Sequence, residues 1–248
     1  AALALSFLCS RIASYDFDPT TPYAIVPTSV KDIYSRPCEC HIEKSPWPDR
    51  FHTAHPTLLS ASVRSALKLP QRPDLKEVLR VLVEQPPSER GGAEVFEYLG
   101  KRSAELSAED WSHLNASRFV PLRRAGNKGE KGALTHVTPR DVFFASTCKK
   151  KFGPLLDYSE LKPSSGAGSF LARCGVDEAP SVNALAFAIA ANHQRTIDVM
   201  GTSSSGYLAA LKEFSRGLAS DVPGGPYGAT LSPSAREALA ASPFLIGQ

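Results

Sequence analysis

The chain has 248 residues, 42% hydrophobic and 21% charged, with a formal net charge of +3. That balance describes a folded globular protein and excludes an intrinsically disordered chain or one bound to polyanions by bulk charge. Five scattered cysteines, an odd number, argue against a disulfide framework and for a reducing compartment.

In chain order, residues 1–14 read as a helix with Leu5, Leu8, Cys9 and Ile12 on one face. This apolar start has no basic leading region and no small-residue cleavage site, so it does not read as a secretory signal. It is also too short to span a bilayer. Residues 15–22 are turn, marked by Asp18-Pro19 and Thr21-Pro22. Tyr23, Ala24, Ile25 and Val26 form a short strand closed by Pro27, and residues 38–42 form a second. Pro46, Pro48 and Pro56 make residues 43–56 a loop. Residues 60–67 suit a short helix. Asp74 then caps a helix with Leu75, Val78, Leu79 and Leu82 at i, i+3, i+4, i+7, ended by Gln85-Pro86-Pro87. Val95, Phe96 and Leu99 mark another helix, and Ser107 with Asp110 forms a capping-box pattern ahead of Trp111 and Leu114.

Phe119-Val120 opens a further strand. Residues 125–132 are a polar, glycine-rich turn, and Leu134, His136 and Val142-Phe143-Phe144 carry the returning strands. Ser181 caps a helix on Val182, Leu185 and Ile189; Ile197 and Met200 sit on a short helix. Tyr207, Leu208, Leu211, Phe214 and Leu218 give the longest helical stripe. Residues 220–231 are a loop rich in proline and glycine. Ser232-Pro233 starts a last helix, with Ser234 and Glu237 at capping-box spacing.

These elements repeat. Pro37 and Pro139 are 102 residues apart, while Pro56 and Pro163, Pro73 and Pro180, and Leu75 and Val182 are each 107 apart. A position filled by different chemistry in two copies is structural in both. Ala116-Ser117-Arg118-Phe119-Val120 and Ala241-Ser242-Pro243-Phe244-Leu245 share an opening, so residues 241–248 read as the start of a third unit. With Ala1 at the other end, the expectation is a segment of a longer polypeptide.

The best metal candidate is Cys38-Glu39-Cys40-His41 with His52 and His55. Zinc needs four such ligands converging tetrahedrally, C-x-C-H is a poor spacing for that, and alternate strand residues point to opposite faces. In the second copy Arg140, Val142 and Phe143 replace Cys38, Cys40 and His41, which favours a structural strand. The glycine-rich runs at 126–132 and 164–169 lack either phosphate-binding signature. No G-x-S-x-G or H-E-x-x-H is present, and the six histidines have no evident acid or base partner. The most defensible surface is basic: Arg123, Arg124, Lys128, Lys131, Arg140, Lys149, Lys150 and Lys151, diluted only by Glu130 and Asp141. Such a hairpin suits an acidic partner, a phosphate or RNA. Without interleaved aromatics it reads first as a solvated face.

The runs Trp111-Ser112-His113-Leu114, Phe119-Val120-Pro121-Leu122, Gly132-Ala133-Leu134 and Thr138-Pro139-Arg140-Asp141-Val142-Phe143-Phe144 resemble the sacsin-like and plant NO VEIN-like large proteins. The stretch from Leu171-Ala172-Arg173-Cys174-Gly175 to Ala179-Pro180-Ser181-Val182 is more similar still to their large fungal relatives, as are Tyr207-Leu208-Ala209-Ala210-Leu211-Lys212 and Ser242-Pro243-Phe244-Leu245-Ile246-Gly247. In that family an ATP-binding domain of the histidine-kinase and heat-shock-chaperone type precedes such a segment. This chain has neither its E-x-x-x-N-x-x-D helix pattern nor D-x-G-x-G, so no ATPase residue carries over.

The expected fold is α+β and helix-rich: two tandem units, residues 1–117 and 118–240, each a short β-hairpin or small sheet with several short helices. Leu75, Leu79, Leu82, Val182, Leu185 and Ile189 are the expected equivalent core positions. The expected role is a non-catalytic structural or interaction module of a large chaperone-like ATPase, with no cofactor, metal or catalytic residue. Its expected partners are the rest of a longer polypeptide and protein clients, inside the cytoplasm or nucleus and away from membranes. The alternative is nucleic-acid or phosphate binding through the basic hairpin 123–151.

Overall fold

The structure, a computed structural model, describes residues 11, 18, 20–58, 60–125, 131–200, 205–219 and 231–242. The helix expected over residues 1–14 lies outside these apart from Arg11, as do the tip of the 125–132 turn and residues 220–230. The protein is α+β and rich in helix, with small two-stranded sheets. It divides into two compact units, residues 1–84 and 85–248.

In the first unit, β1 (Val26–Pro27) pairs antiparallel with β2 (Tyr34–Ser35). A 3-10 turn at Pro37–Glu39 leads into β3 (Cys40–His41), which pairs in parallel with β4 (His52–Thr53). The sequence expectation gave residues 43–56 to loop. Pro46, Pro48 and Pro56 restrict only their own and preceding positions, and residues 51–54 between them stay free to pair. An isolated bridge from Thr28 to Ala54 ties β1 to β4. Helix α1 (Ala61–Leu67) and helix α2 (Leu75–Glu84) follow. The core gathers Val26, Cys40, Ala54, Leu58, Val63, Leu67 and Leu69. Helix α2 buries Val78, Leu79 and Leu82, while Arg80 on its outer face donates to Glu77 and Glu84.

The second unit begins with α3 (Glu89–Lys101) and α4 (Ala108–Ala116). The expected division at 117/118 assigned these helices to the first unit; here they pack inside the second. Phe96 of α3 meets Phe119 edge-on at 5.8 Å and stacks on Phe170 at 6.0 Å. The capping box forms as read, with Asp110 N–H donating to Ser107 Oγ and Ser107 N–H to Asp110 Oδ2. Strand β5 (Val120–Ala125) pairs antiparallel with β6 (Lys131–Val137). A 3-10 turn at Pro139–Asp141 leads into β7 (Val142–Phe144), parallel to β8 (Asp157–Ser159). Between β7 and β8 lies α5 (Ala145–Phe152), which the run Lys149-Lys150-Lys151 disguises as surface charge.

Helices α6 (Gly166–Arg173), α7 (Val182–Met200), α8 (Ser205–Ala219) and α9 (Pro233–Ala240) complete the unit. Residues 197–200 continue α7 instead of forming a helix of their own, because no glycine or proline interrupts residues 182–200. Helix α7, not α8, is therefore the longest of the described helices. Within the α8 stripe Tyr207 and Phe214 are buried but Leu208 is exposed. In α9 the cap is Ser232, whose Oγ accepts Ala235 N–H at 3.2 Å, with Pro233 at the first helical position; Ser234 is inside the helix.

The two units share a hydrogen-bond frame. Ile42 N–H donates to Pro70 O at 3.2 Å, and 102 and 107 residues further on Phe144 N–H donates to Asp177 O at 3.1 Å. Leu69 N–H to Arg64 O, at 3.2 Å, matches Val176 N–H to Leu171 O, at 3.0 Å. The cap Glu77 N–H to Asp74 Oδ1, at 3.2 Å, matches Ala184 N–H to Ser181 Oγ, at 3.1 Å. Arg36 bonds Glu39 across the first 3-10 turn as Thr138 bonds Asp141 across the second. The offset grows from 102 to 105 across the crossover, a loop in the first unit and α5 with the 3-10 turn Gly153–Leu155 in the second, and reaches 107 between the strand that follows and Pro56 or Pro163.

Candidate functional site

Strand β3 explains the cysteine–histidine group. Cys40 is fully buried in the first unit's core, where burial pushes its thiol up to about 11. Cys38 lies exposed on the 3-10 turn before the strand. His41 presents its ring to Phe51 at 6.1 Å. His52, in register opposite Cys40, lies on β4, and His55 Nδ1 is within 2.8 Å of Thr57 Oγ1 in the following turn. A cleft of about 380 Å³ runs beside these residues, lined among others by Glu39, His41, Asp49, His52 and Glu77. Among the described residues no three or more histidines, cysteines or acids converge to hold a metal ion. The backbone alternates, so Cys40 is committed to the core while its neighbours face elsewhere. In the second unit Val142, Phe143 and Phe144 take the places of Cys40, His41 and Ile42, and all three are buried.

The basic residues do not form one hairpin. Strands β5 and β6 end at Val137, and Lys149 and Lys150 stand on α5. Arg123 Nε pairs with Glu89 Oε2 at 2.9 Å, and Lys149 Nζ with Glu160 Oε1 at 2.6 Å. Arg140 donates to Asn115 Oδ1. Lys150 is exposed. The side chains of Arg124, Lys128, Lys131 and Lys151 lie outside the described residues. Where visible, the surface expected to meet a polyanion carries carboxylates of its own, which weaken the local field.

The glycines at 164–169 serve packing. Ser165 caps α6, accepting Gly168 N–H at 3.0 Å, and Ala167 N–H donates to Glu97 Oε2 at 3.0 Å. A carboxylate from α3 thus occupies the positive helix end that a phosphate would seek. A Cβ on Gly166 would lie 2.4 Å from Glu97 Oε2, and one on Gly100 would lie 2.8 Å from Gly166 O. Helices α3 and α6 approach too closely for larger residues.

Two features escaped the sequence. A cleft of about 290 Å³ between α3, β5 and β8 is lined by Glu89, Phe96, Leu122, Arg123, Tyr158 and Glu160. Arg102, only 4% exposed, is held by Glu105 Oε2 at 2.8 Å and Tyr98 Oη at 3.1 Å. The cleft draws on three segments far apart in the chain and has no local signature. Tyr98, Arg102 and Glu105 do have one, at helical i, i+4 and i+3 spacing.

No helix among the described residues is long and apolar enough to cross a membrane. No curated protein and no solved structure matches the chain. One family model does, over residues 2–225, described as a protein of unknown function, DUF3684. By that match across most of its length, the chain belongs to the DUF3684 family.

Proposed function

We propose that this chain is a non-catalytic structural and interaction module of a larger chaperone-like ATPase protein. One observation carries the reading. The group richest in reactive residues, Cys38 to His41, occupies the same backbone frame as Arg140 to Phe143, with Cys40 in the core where Val142 is in the other copy. Chemistry that one copy dispenses with while keeping the frame is not what the frame is for. The reading takes from the resemblance to sacsin-like and NO VEIN-like proteins that the ATPase of such a molecule belongs to another segment. The task left to this one is to join neighbouring parts and to contact protein clients.

The test is a paired assay on the 248-residue chain. The first arm follows light scattering of a thermally unfolding reporter protein at equimolar chain without ATP. The second follows anisotropy of a labelled single-stranded RNA at 50 and 200 mM salt. The reading expects reduced scattering and no RNA binding. Unchanged scattering with RNA binding that collapses at the higher salt overturns it in favour of the basic surface.

A further inference from the structure

The two units differ at one joint of their shared frame. In the first unit β1 and β4 are bonded directly. Ser29 N–H donates to Thr53 O at 2.7 Å and His55 N–H to Pro27 O at 2.9 Å, on either side of the Thr28–Ala54 bridge. Strand register gives the second-unit counterparts. Val26 faces Ser35 as Val120 faces Val137, so Thr28 and Ser29 correspond to Leu122 and Arg123. His41 faces Thr53 as Phe143 faces Tyr158, so Ala54 and His55 correspond to Ser159 and Glu160. Among the described residues no bridge joins β5 to β8, which stay in separate two-stranded sheets. Where the first unit has its bridge, the second has the cleft of about 290 Å³.

The sequence supplies a cause. Three residues separate Thr53 from Pro56, and five separate Tyr158 from Pro163. The longer link frees the chain after β8 from the course that His55 follows, and its Glu160 and Leu161 line the cleft. On β5 the register turns Pro121 O and Arg123 N–H toward the cleft, the equivalents of Pro27 O and Ser29 N–H. Proline suits that outer edge because no N–H is needed there. Phe96, Leu122 and Leu161 give apolar walls. A cavity of about 150 Å³ already takes a benzene ring, so this one has room for a large side chain and the peptide groups beside it.

We propose that the cleft binds an extended segment of a client protein by strand addition to β5. The segment's anchor residue stands where Ala54 stands on β1 and puts a large apolar side chain against Phe96 and Leu122. The carbonyl before the anchor accepts from Arg123 N–H, and the N–H after it donates to Pro121 O. The charged lining is Glu89, Arg123 and Glu160, two carboxylates to one guanidinium, so a basic residue beside the anchor is favoured over an acidic one. This inference rests on the proposed function, for it says where a client is held.

The test titrates the full 248-residue chain into fluorescent, acetylated and amidated pentapeptides and reads anisotropy. The peptides vary the central residue through all types and place lysine, alanine or glutamate beside it. Binding is expected for phenylalanine, tyrosine or leucine at the centre, strongest with lysine beside it and weakest with glutamate. Ala93→Trp fills the cleft from an exposed position on α3 and is expected to weaken binding at least about tenfold. N-methylation of the peptide residue after the anchor removes the N–H meant for Pro121 O and is expected to weaken binding to the parent chain about as much. No peptide bound, binding indifferent to the central residue, or equal binding after N-methylation or in Ala93→Trp overturns the proposal. Reporter scattering is read separately: reduced scattering with no peptide bound leaves the module reading standing and overturns this inference alone.

Discussion

Lys68 and Gly175 occupy one position of the repeat, and both turn the chain out of a short helix with a positive φ, 51° at Lys68 and 106° at Gly175. Each N–H closes the helix in the same way, Lys68 onto Ser65 O and Gly175 onto Ala172 O. The two copies meet the same backbone demand with different residues, and those residues differ in what they cost.

Lysine in the left-handed region costs about 1–2 kcal/mol. Glycine there removes that strain but adds about 0.5–1 kcal/mol of unfolded-chain entropy. Lys68→Gly is therefore expected to leave stability unchanged or raise it by up to about 1 kcal/mol. Gly175→Ala is expected to destabilise by about 2 kcal/mol or more, since its Cβ would lie 2.3 Å from Asn115 Nδ2, which donates to Cys174 O. Urea unfolding of both variants measures the contrast.

Leu82 and Ile189 are equivalent positions and both are fully buried. Leu82→Ala and Ile189→Ala are each expected to cost about 2–5 kcal/mol. Arg80→Ala, two residues away on the exposed face of α2, is expected to cost far less than either despite its two carboxylate partners. Denaturation midpoints of the three variants rank them.

The thiols separate by burial. Cys38 is exposed, while Cys40 and Cys174 are buried and burial raises both thiols. A thiol reagent at neutral pH is expected to modify Cys38 promptly and to spare Cys40 and Cys174 until the chain unfolds. Mass spectrometry of time-quenched samples reads the order. Cys40→Val is expected to change stability by less than about 1.5 kcal/mol, because Val142 already fills the equivalent site.

A hydrogen bond from Arg36 holds the Glu39 carboxyl below its ordinary value of 4.5. A depressed folded pKa adds stability that is complete above the unfolded value and is lost as pH falls through the folded one. The pair is half exposed, so solvent screens it and its contribution is small. Glu39→Gln is expected to lower stability slightly at pH 7, and the loss is expected to shrink as pH falls from 4.5 through the depressed folded value, measured as the difference from the parent chain in urea.

What was legible in the sequence was local. Asp74, Ser107 and Ser181 cap helices as read, because a cap and its target N–H lie within three residues. The α2 stripe was legible because one face repeats every turn. The parallel pairing of β3 with β4 was not, since two-residue strands have no period. Helix α5 was hidden because Lys149-Lys150-Lys151 read as surface charge, and that misled the outline of the basic region. Glu97 reaching Ala167 N–H joins residues 70 apart, which no local rule anticipates. The prolines carried the repeat because each fixes φ wherever it stands.

The most direct test of a shared frame is amide hydrogen exchange at Ile42, Leu69, Phe144 and Val176, followed by NMR on the intact chain. Each donates the equivalent bond of its copy: Ile42 to Pro70 O and Phe144 to Asp177 O, Leu69 to Arg64 O and Val176 to Leu171 O. The account predicts protection at all four. Protection at Phe144 and Val176 with unprotected, random-coil exchange at Ile42 and Leu69 would contradict it.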